Sequence, residues 1–438
     1  MHQTSLPRAL VTAAGLVVLT LAAAVPGATS AAPASTGART EAATVDDQRA
    51  PVTRGPYDEP VHTFVSAPDL FNADVADVRV AESYRSGAPN SWNAHWAATV
   101  DNVFGQLAAY GADSYLVAGD LVNGRWHRDR GNTGTFGPGR TTAEKLARIR
   151  RAGAVYYGAW RRFWTDAGVP MSRVHAAVGD HEVGDNPWNA GDDQLRAFWT
   201  YKKTFARHFT TRGGTGHRYP MHPRGTVFDD TAYATYLAGG RVLLVTVDVF
   251  DKRDGAIRTG HVDRAQLAWL DRTLAAAPAS TTILVQGHTP ALEPVRRRNG
   301  GGPSTAYGEG TAFWQTLTRH DVDLYLAGEV HDFTAVQRGG GPVQLTHGGY
   351  AGGGRTDYVV GDVLDDGSIE IDARSIDVVS RSTERIWQTG GEITAALRLA
   401  PTSRSVGTLV IDPSGRITER SGCLAAWDGR QEDGCTTW

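Results

Sequence analysis

Residues 114–124 read SYLVAGDLVNG, an apolar run that stops at Gly119-Asp120 and gives way to a polar loop. Strands often end on such turns, so one instance decides little. The ending recurs, however. RVHAAVGDHE (173–182), TTILVQGHTP (281–290) and DLYLAGEVHD (323–332) each run from a short apolar stretch into a glycine and then into Asp180-His181, His288, or Glu329 with His331. HTFVSAPDLFNAD (62–74) supplies a further strand, ending near Asp69, Asn72 and Asp74.

Between these strands lie helical patterns. Trp92, Trp96, Val100, Val103 and Leu107 share one helical face, with Gly111 placed to cap the C-terminus. Thr141 and Glu144 form a capping box for a helix running through Trp164, Asp263 and Gln266 begin another, and GTAFWQTLTRH (310–320) reads as a fourth. Helix and buried strand alternate four times, which predicts a layered α/β fold with a largely buried sheet. The hairpin patterns near the C-terminus would make it a two-sheet β-sandwich flanked by helices, or add a small β extension. Ligands of such folds bind beyond the carboxyl ends of the strands. The polar residues collected there are metal-ligand and acid–base types, so they point to a metal or catalytic site at the C-terminal ends of the strands. A strand over RVLLVTVDVF (241–250) ends at Asp248 without an accompanying motif and is read as structural.

The ordered set Gly119-Asp120-Leu121-Val122, Gly179-Asp180-His181-Glu182, Gly287-His288-Thr289-Pro290 and Gly328-Glu329-Val330-His331 resembles the calcineurin-like metallophosphoesterase superfamily over about residues 61–350. There are departures. In the first motif Asp69 matches the family aspartate while Phe71 stands in the place of its histidine; in a shifted register Ala67 and Asp69 would take those two places. Asp180 replaces an asparagine, Glu329 a histidine, and Asn123 a second aspartate. The resemblance implies a metal-dependent hydrolase of phosphate mono- or diesters that uses a two-metal-activated hydroxide. It implies that Asp120 bridges two divalent ions, Asp69 and His331 holding one, and Asp180, His288 and Glu329 the other. His181 would be the catalytic residue, donating to the phosphoryl oxygen or leaving group.

The residue types support the same chemistry. A carboxylate shared by two ions, ringed by His, Asp and Glu, suits a clamp for a phosphoryl group, and a neighbouring histidine can protonate a departing alkoxide. Exchange of nitrogen for oxygen ligands favours Mn or Fe over Zn. Extra carboxylates weaken attraction for a highly charged phosphate. The loop NGRWHRDR (123–130) offers Arg125, His127 and Arg128 as substrate-binding groups, while Glu182, at the end of the Gly179 motif, reads as a residue that orients a neighbour. His347 reads as a structural histidine. Two other classes stay open: a metal-binding pseudoenzyme or binding protein on the same scaffold, favoured by Phe71, Asp180 and Glu329, and carboxylate-driven glycoside hydrolysis, which leaves the histidines without a purpose.

The rest of the 438 residues bounds location and partners. Arg8, an apolar run over 9–25 and small residues to Ala31 form a secretory signal peptide over 1–31, followed by a disordered lead-in over 32–60. Secretion is expected, with no transmembrane anchor after cleavage. Cys423 and Cys435 are the two cysteines and read as a disulfide. A net charge of −3 provides no field for nucleic acid, leaving a small-molecule or headgroup phosphoester as partner. The catalytic domain is placed at 61–355, and two hairpin patterns within 356–438 complete or extend it.

Overall fold

The loops ending at Asp69, Asp120 and Asp180 stand on adjacent strands. The computed structural model describes residues 59–85, 92, 94–129, 132–189, 191–297, 308–349, 355–380, 397–427, 429 and 435. Within it β1 (Pro60–Ser66), β2 (Ser114–Val117) and β3 (Val174–Ala176) run parallel, in that order. The expected signal peptide and nearly all of the lead-in fall outside the described residues. No helix among the described residues is long and apolar enough to cross a membrane.

A second sheet holds β4 (Tyr233–Leu237), β5 (Val242–Thr246), β6 (Thr282–Gln286), β7 (Leu324–Ala327), β8 (Thr334–Val336) and β9 (Val343–Thr346). Its order is β8-β9-β7-β6-β5-β4, with β5, β6, β7 and β9 parallel and the two edge strands antiparallel. The first sheet continues on the other side of β1 through β10 (Arg355–Leu364), β11 (Ile369–Ser380), β12 (Leu397–Leu399), β13 (Arg404–Ile411) and β14 (Ile417–Arg420). The order there is β14-β13-β11-β10-β1-β2-β3, with β12 paired to β11. The C-terminal hairpins are therefore strands of the same sheet that carries Asp69, Asp120 and Asp180.

The strand period of two explains the layering. Phe64, Leu116, Leu244, Leu284 and Leu326 join one buried cluster with Val359, Val363, Ile371 and Leu409, which fills the space between the sheets. Their chain neighbours Val65, Tyr115, Val245, Val285 and Tyr325 join a second cluster under the helices. Helices α1 (Ala94–Ala108), α2 (Thr142–Asp166) and α3 (Asp193–Phe209) contribute Trp96, Trp160, Trp164, Phe198 and Phe205 to that cluster. Trp269 comes from α4 (Arg264–Ala275) and Trp314 from α5 (Ala312–Arg319). The expected capping box forms, Thr141 accepting from the Glu144 amide and Glu144 from the Thr141 amide. Asp263 caps α4 by accepting from Gln266 N. The fold is thus mixed α/β, with sheets flanked by helices and the polar tips collected at the strand ends.

Candidate metal centre

Backbone bonds between the loops beyond the strands bring the tips together. Asp69 N donates to Gly119 O at 3.2 Å and Gly328 N to His288 O at 2.8 Å. His288 crosses between sheets, its Nδ1 donating to Ala118 O at 2.7 Å. That bond fixes the tautomer and turns Nε2 toward Asp120 Oδ1 (3.3 Å), Asp180 Oδ1 (3.6 Å) and Glu329 Oε2 (2.8 Å). His331 Nε2 lies 3.3 Å from Asp69 Oδ1. Asp69, Asn72, Asp120, Glu329 and His331 all have positive φ, between 44° and 70°. Such conformations cost energy in residues other than glycine and concentrate at functional sites.

Glycine is required where these loops touch. A Cβ on Gly119 would lie 2.5 Å from His288 Nδ1, and one on Gly179 would lie 2.2 Å from Asp120 Oδ1. The pairing of glycine with a carboxylate therefore lets neighbouring tips approach within van der Waals distance. Glu182 ties two of them: fully buried, it accepts from Asp120 N (2.8 Å), Gly179 N (2.9 Å) and Leu121 N (3.0 Å).

Donor atoms fall into three overlapping groups, each with its ligand atoms within 4.8 Å of one another: Asp69, Asp120 and His331; Asp120, Asp180 and His288; Asp180, His181 and Asp185. Asp120 belongs to the first two. Burial pushes its carboxyl well above the ordinary range, and the neighbouring Asp180 adds to this. Glu329 is raised by burial and by Asp180. Burial also works to raise Asp180, but His181 and His288 hold it below the usual carboxylate range. His288 is raised well above an ordinary imidazole despite its burial, because Asp120, Asp180 and Glu329 surround it. The cluster thus retains protons that a cation would displace. Asp69 Oδ1 and Asn72 Oδ1 are buried and make no hydrogen bond. Four buried carboxylates, two imidazoles and orphaned oxygens form a donor set that fits divalent cations.

His181 donates from Nδ1 to Asn123 O at 2.7 Å, leaving Nε2 3.6 Å from Asp120 Oδ2 and 3.9 Å from Asp185 Oδ1. Burial works against its charge, yet Asp180 and Asp185 raise its pKa. Of the loop residues, Arg125 reaches this region: its Nε pairs with Asp185, and its side chain is 34% exposed. His127 and Arg128 turn elsewhere. The His127 ring packs on Tyr201, its Nδ1 3.1 Å from the hydroxyl, and burial pushes its pKa down to about 4. Arg128 bonds His127 Nε2 at 3.0 Å and Gln194 at 3.5 Å.

Asp185 and Asn186 belong to GDNPWNAGDD (184–193), a stretch that the sequence offers as the opposite wall of the pocket but whose residue types assign neither side chain a role of its own. Asn186 Nδ2 donates to Asp180 Oδ2 at 2.5 Å. Their one signal was a position just after the Gly179 motif; the Asn123 carbonyl had none, since every residue carries one. Phe71 is a core residue, 5.3 Å from Trp96 and 5.5 Å from Phe104 between ring centres. His347 is fully buried against Ser66 Oγ at 2.8 Å, with burial pushing it down to about 4. Asp248 forms a buried ion pair with Lys202 at 2.6 Å. Cys423 and Cys435 lie at disulfide distance, Cα atoms 5.1 Å apart.

Similarity to solved structures is distant. A dimetal phosphatase from Danio rerio is 14% identical, with 72% of this chain and 96% of that one covered and a TM-score of 0.40. GAP50, the anchor in the inner membrane complex of Plasmodium, is 11% identical, covering 76% and 90%, with a TM-score of 0.38. The 5'-nucleotidase of Candida albicans SC5314 is 14% identical, covering 68% and 47%, with a TM-score of 0.32. No curated protein matches the sequence. The calcineurin-like phosphoesterase family model matches residues 92–333, more than half the chain and the span that carries Asp120, Asp180, His288, Glu329 and His331. With those side chains drawn into one cluster of metal-type donors, the chain belongs to the calcineurin-like phosphoesterase family.

Proposed function

We propose that this chain is an exported hydrolase of phosphate mono- or diesters that works with two divalent ions, Mn or Fe ahead of Zn. The observation that carries the reading is the double membership of Asp120, whose carboxylate sits in both the Asp69/His331 group and the Asp180/His288 group. Asp69, Asp120 and His331 would hold one ion; Asp120, Asp180, His288 and Glu329 would hold the other. Bound there, two divalent ions neutralise phosphoryl oxygens and lower the pKa of the attacking water.

The chain's own residues supply the rest. His181, with Nδ1 committed to the Asn123 carbonyl, has Nε2 free to give a proton to the departing ester oxygen. Asp180 and Asp185 keep that proton on the ring. Arg125, steadied by Asp185 and by Asn186 O at 3.4 Å, is placed to take a phosphate oxygen. Residues 1–31 would direct export, and the Cys423–Cys435 pair is compatible with an oxidising destination.

Chelation should abolish hydrolysis of an aryl phosphate mono- or diester, and Mn²⁺ should restore it. Asp120→Asn should lose both metal and activity. His181→Asn should retain metal while its rate falls by about 10²–10⁴. Full activity in both variants would refute the assignment. Metal uptake without turnover across a broad phosphoester panel would instead favour the binding-protein reading, to which the inward turn of Phe71 and the added carboxylates Asp180 and Glu329 belong.

A further inference from the structure

The Asp69/Asp120/His331 group has one donor fewer than its neighbour, where Glu329 stands beside Asp120, Asp180 and His288. Phe71 cannot make up the difference, because its ring lies in the hydrophobic core between Trp96 and Phe104. The next residue turns the other way. Asn72, at φ 44°, sends its side chain to Asp120, with Nδ2 3.2 Å from Oδ2. The other end of that amide, Oδ1, is buried and makes no hydrogen bond. We infer that Asn72 is a metal ligand, binding through Oδ1 the ion held by Asp69, Asp120 and His331. The inference rests on the two-ion reading of the cluster.

The geometry allows this without rebuilding the loop. The two ends of an amide are nearly isosteric, so a half-turn about its terminal bond exchanges them. Oδ1 then stands where Nδ2 does, 3.2 Å from Asp120 Oδ2. Two oxygens so close repel each other unless a cation lies between them. Adjacent ligands of an octahedral ion, each about 2.1 Å from it, are themselves ~3 Å apart. Asparagine also tolerates the left-handed backbone that turns this residue inward. Its oxygen adds no charge to a centre already holding Asp69, Asp120, Asp180 and Glu329. A hard neutral donor also favours Mn²⁺ or Mg²⁺ over Zn²⁺.

Calorimetric Mn²⁺ titration of the chelator-stripped protein tests this without reference to turnover. The wild type should take up two ions. Asn72→Ala should weaken one of them by at least about tenfold and leave the other unchanged. Asn72→Cys loaded with Co²⁺ should show thiolate-to-metal charge-transfer absorption, which arises only from a direct bond. Circular dichroism of the stripped variants reports whether they are folded. Two ions held equally by wild type and Asn72→Ala would overturn the inference alone. Weakened binding without the absorption band would overturn it too, leaving Asn72 as a hydrogen-bond support for Asp120. A wild-type chain that takes up no ion would overturn both the inference and the reading beneath it.

Discussion

Asp120 and His288 face each other at 3.3 Å with Asp180 and Glu329 close by, and the protons they share set a pH dependence. The folded pKa of His288 lies well above its unfolded value, as does that of His181 to a lesser degree. Their contribution to stability is complete below about pH 6.5 and is lost as pH rises through the folded values. Asp120, also raised, acts in the same direction, since the folded form again binds the extra proton. Asp180 is depressed, so its contribution is present above about pH 4 and lost only in acid. Above pH ~6.5 the chelator-treated protein should therefore melt at progressively lower temperature. Divalent ions replace those protons and should flatten the slope. Melting curves in chelator and in Mn²⁺ across this range check it; a chelated protein whose melting point stays level or climbs would exclude a protonated cluster.

Strand tips act as units through Glu182, which joins the loop after β2 to the loop after β3 by three buried backbone bonds. Glu182→Ala would leave three buried amides without that acceptor. At about 1–3 kcal/mol for each unsatisfied donor, the loss should be at least ~3 kcal/mol and visible as a lowered denaturant midpoint. Gly179→Ala probes the same junction differently. Its Cβ would stand 2.2 Å from Asp120 Oδ1 and 2.4 Å from Asp120 N, so the carboxylate must move. Metal uptake should drop while the far-ultraviolet dichroism persists, because the conflict is confined to the loops. Helix caps at this scale were legible in the sequence, since Thr141 with Glu144 and Asp263 with Gln266 are local patterns, as is the apolar face of α1. Trp92, however, precedes that helix, and α3 was not anticipated. The identities of the tips were legible for the same reason, since each follows an apolar run by one or two residues.

Across the whole molecule, the hairpins after residue 355 are not an appendage. β10 pairs with β1 over Pro60–Ser66, and β11 and β13 extend the sheet beyond it. Val359, Val363, Ile369, Ile371, Leu409 and Ile411 lie in the cluster between the sheets, opposite Leu244, Leu284 and Leu326. Removing residues 355–438 would open the β1 edge and expose the inner face of the second sheet. We expect the truncated chain to be insoluble or to lack cooperative unfolding, as sedimentation and thermal dichroism would reveal. A truncated protein that melts cooperatively and takes up metal would show the hairpins to be dispensable.

The sequence alone settled the alternation of helix and strand, the burial of each strand and the chemical identity of the tips, because period, caps and strand-end glycines are local signals. Only the tertiary structure decided direction. Neighbours in the chain part company: Phe71 enters the core while Asn72 turns to Asp120, and His127 and Arg128 pack on Tyr201 and Gln194 while Arg125 meets Asp185. Backbone dihedrals and the packing of distant elements set those directions. Asp185, Asn186 and the Asn123 carbonyl become neighbours of the cluster only when the loops after β2 and β3 meet, and no spacing within one segment encodes that meeting.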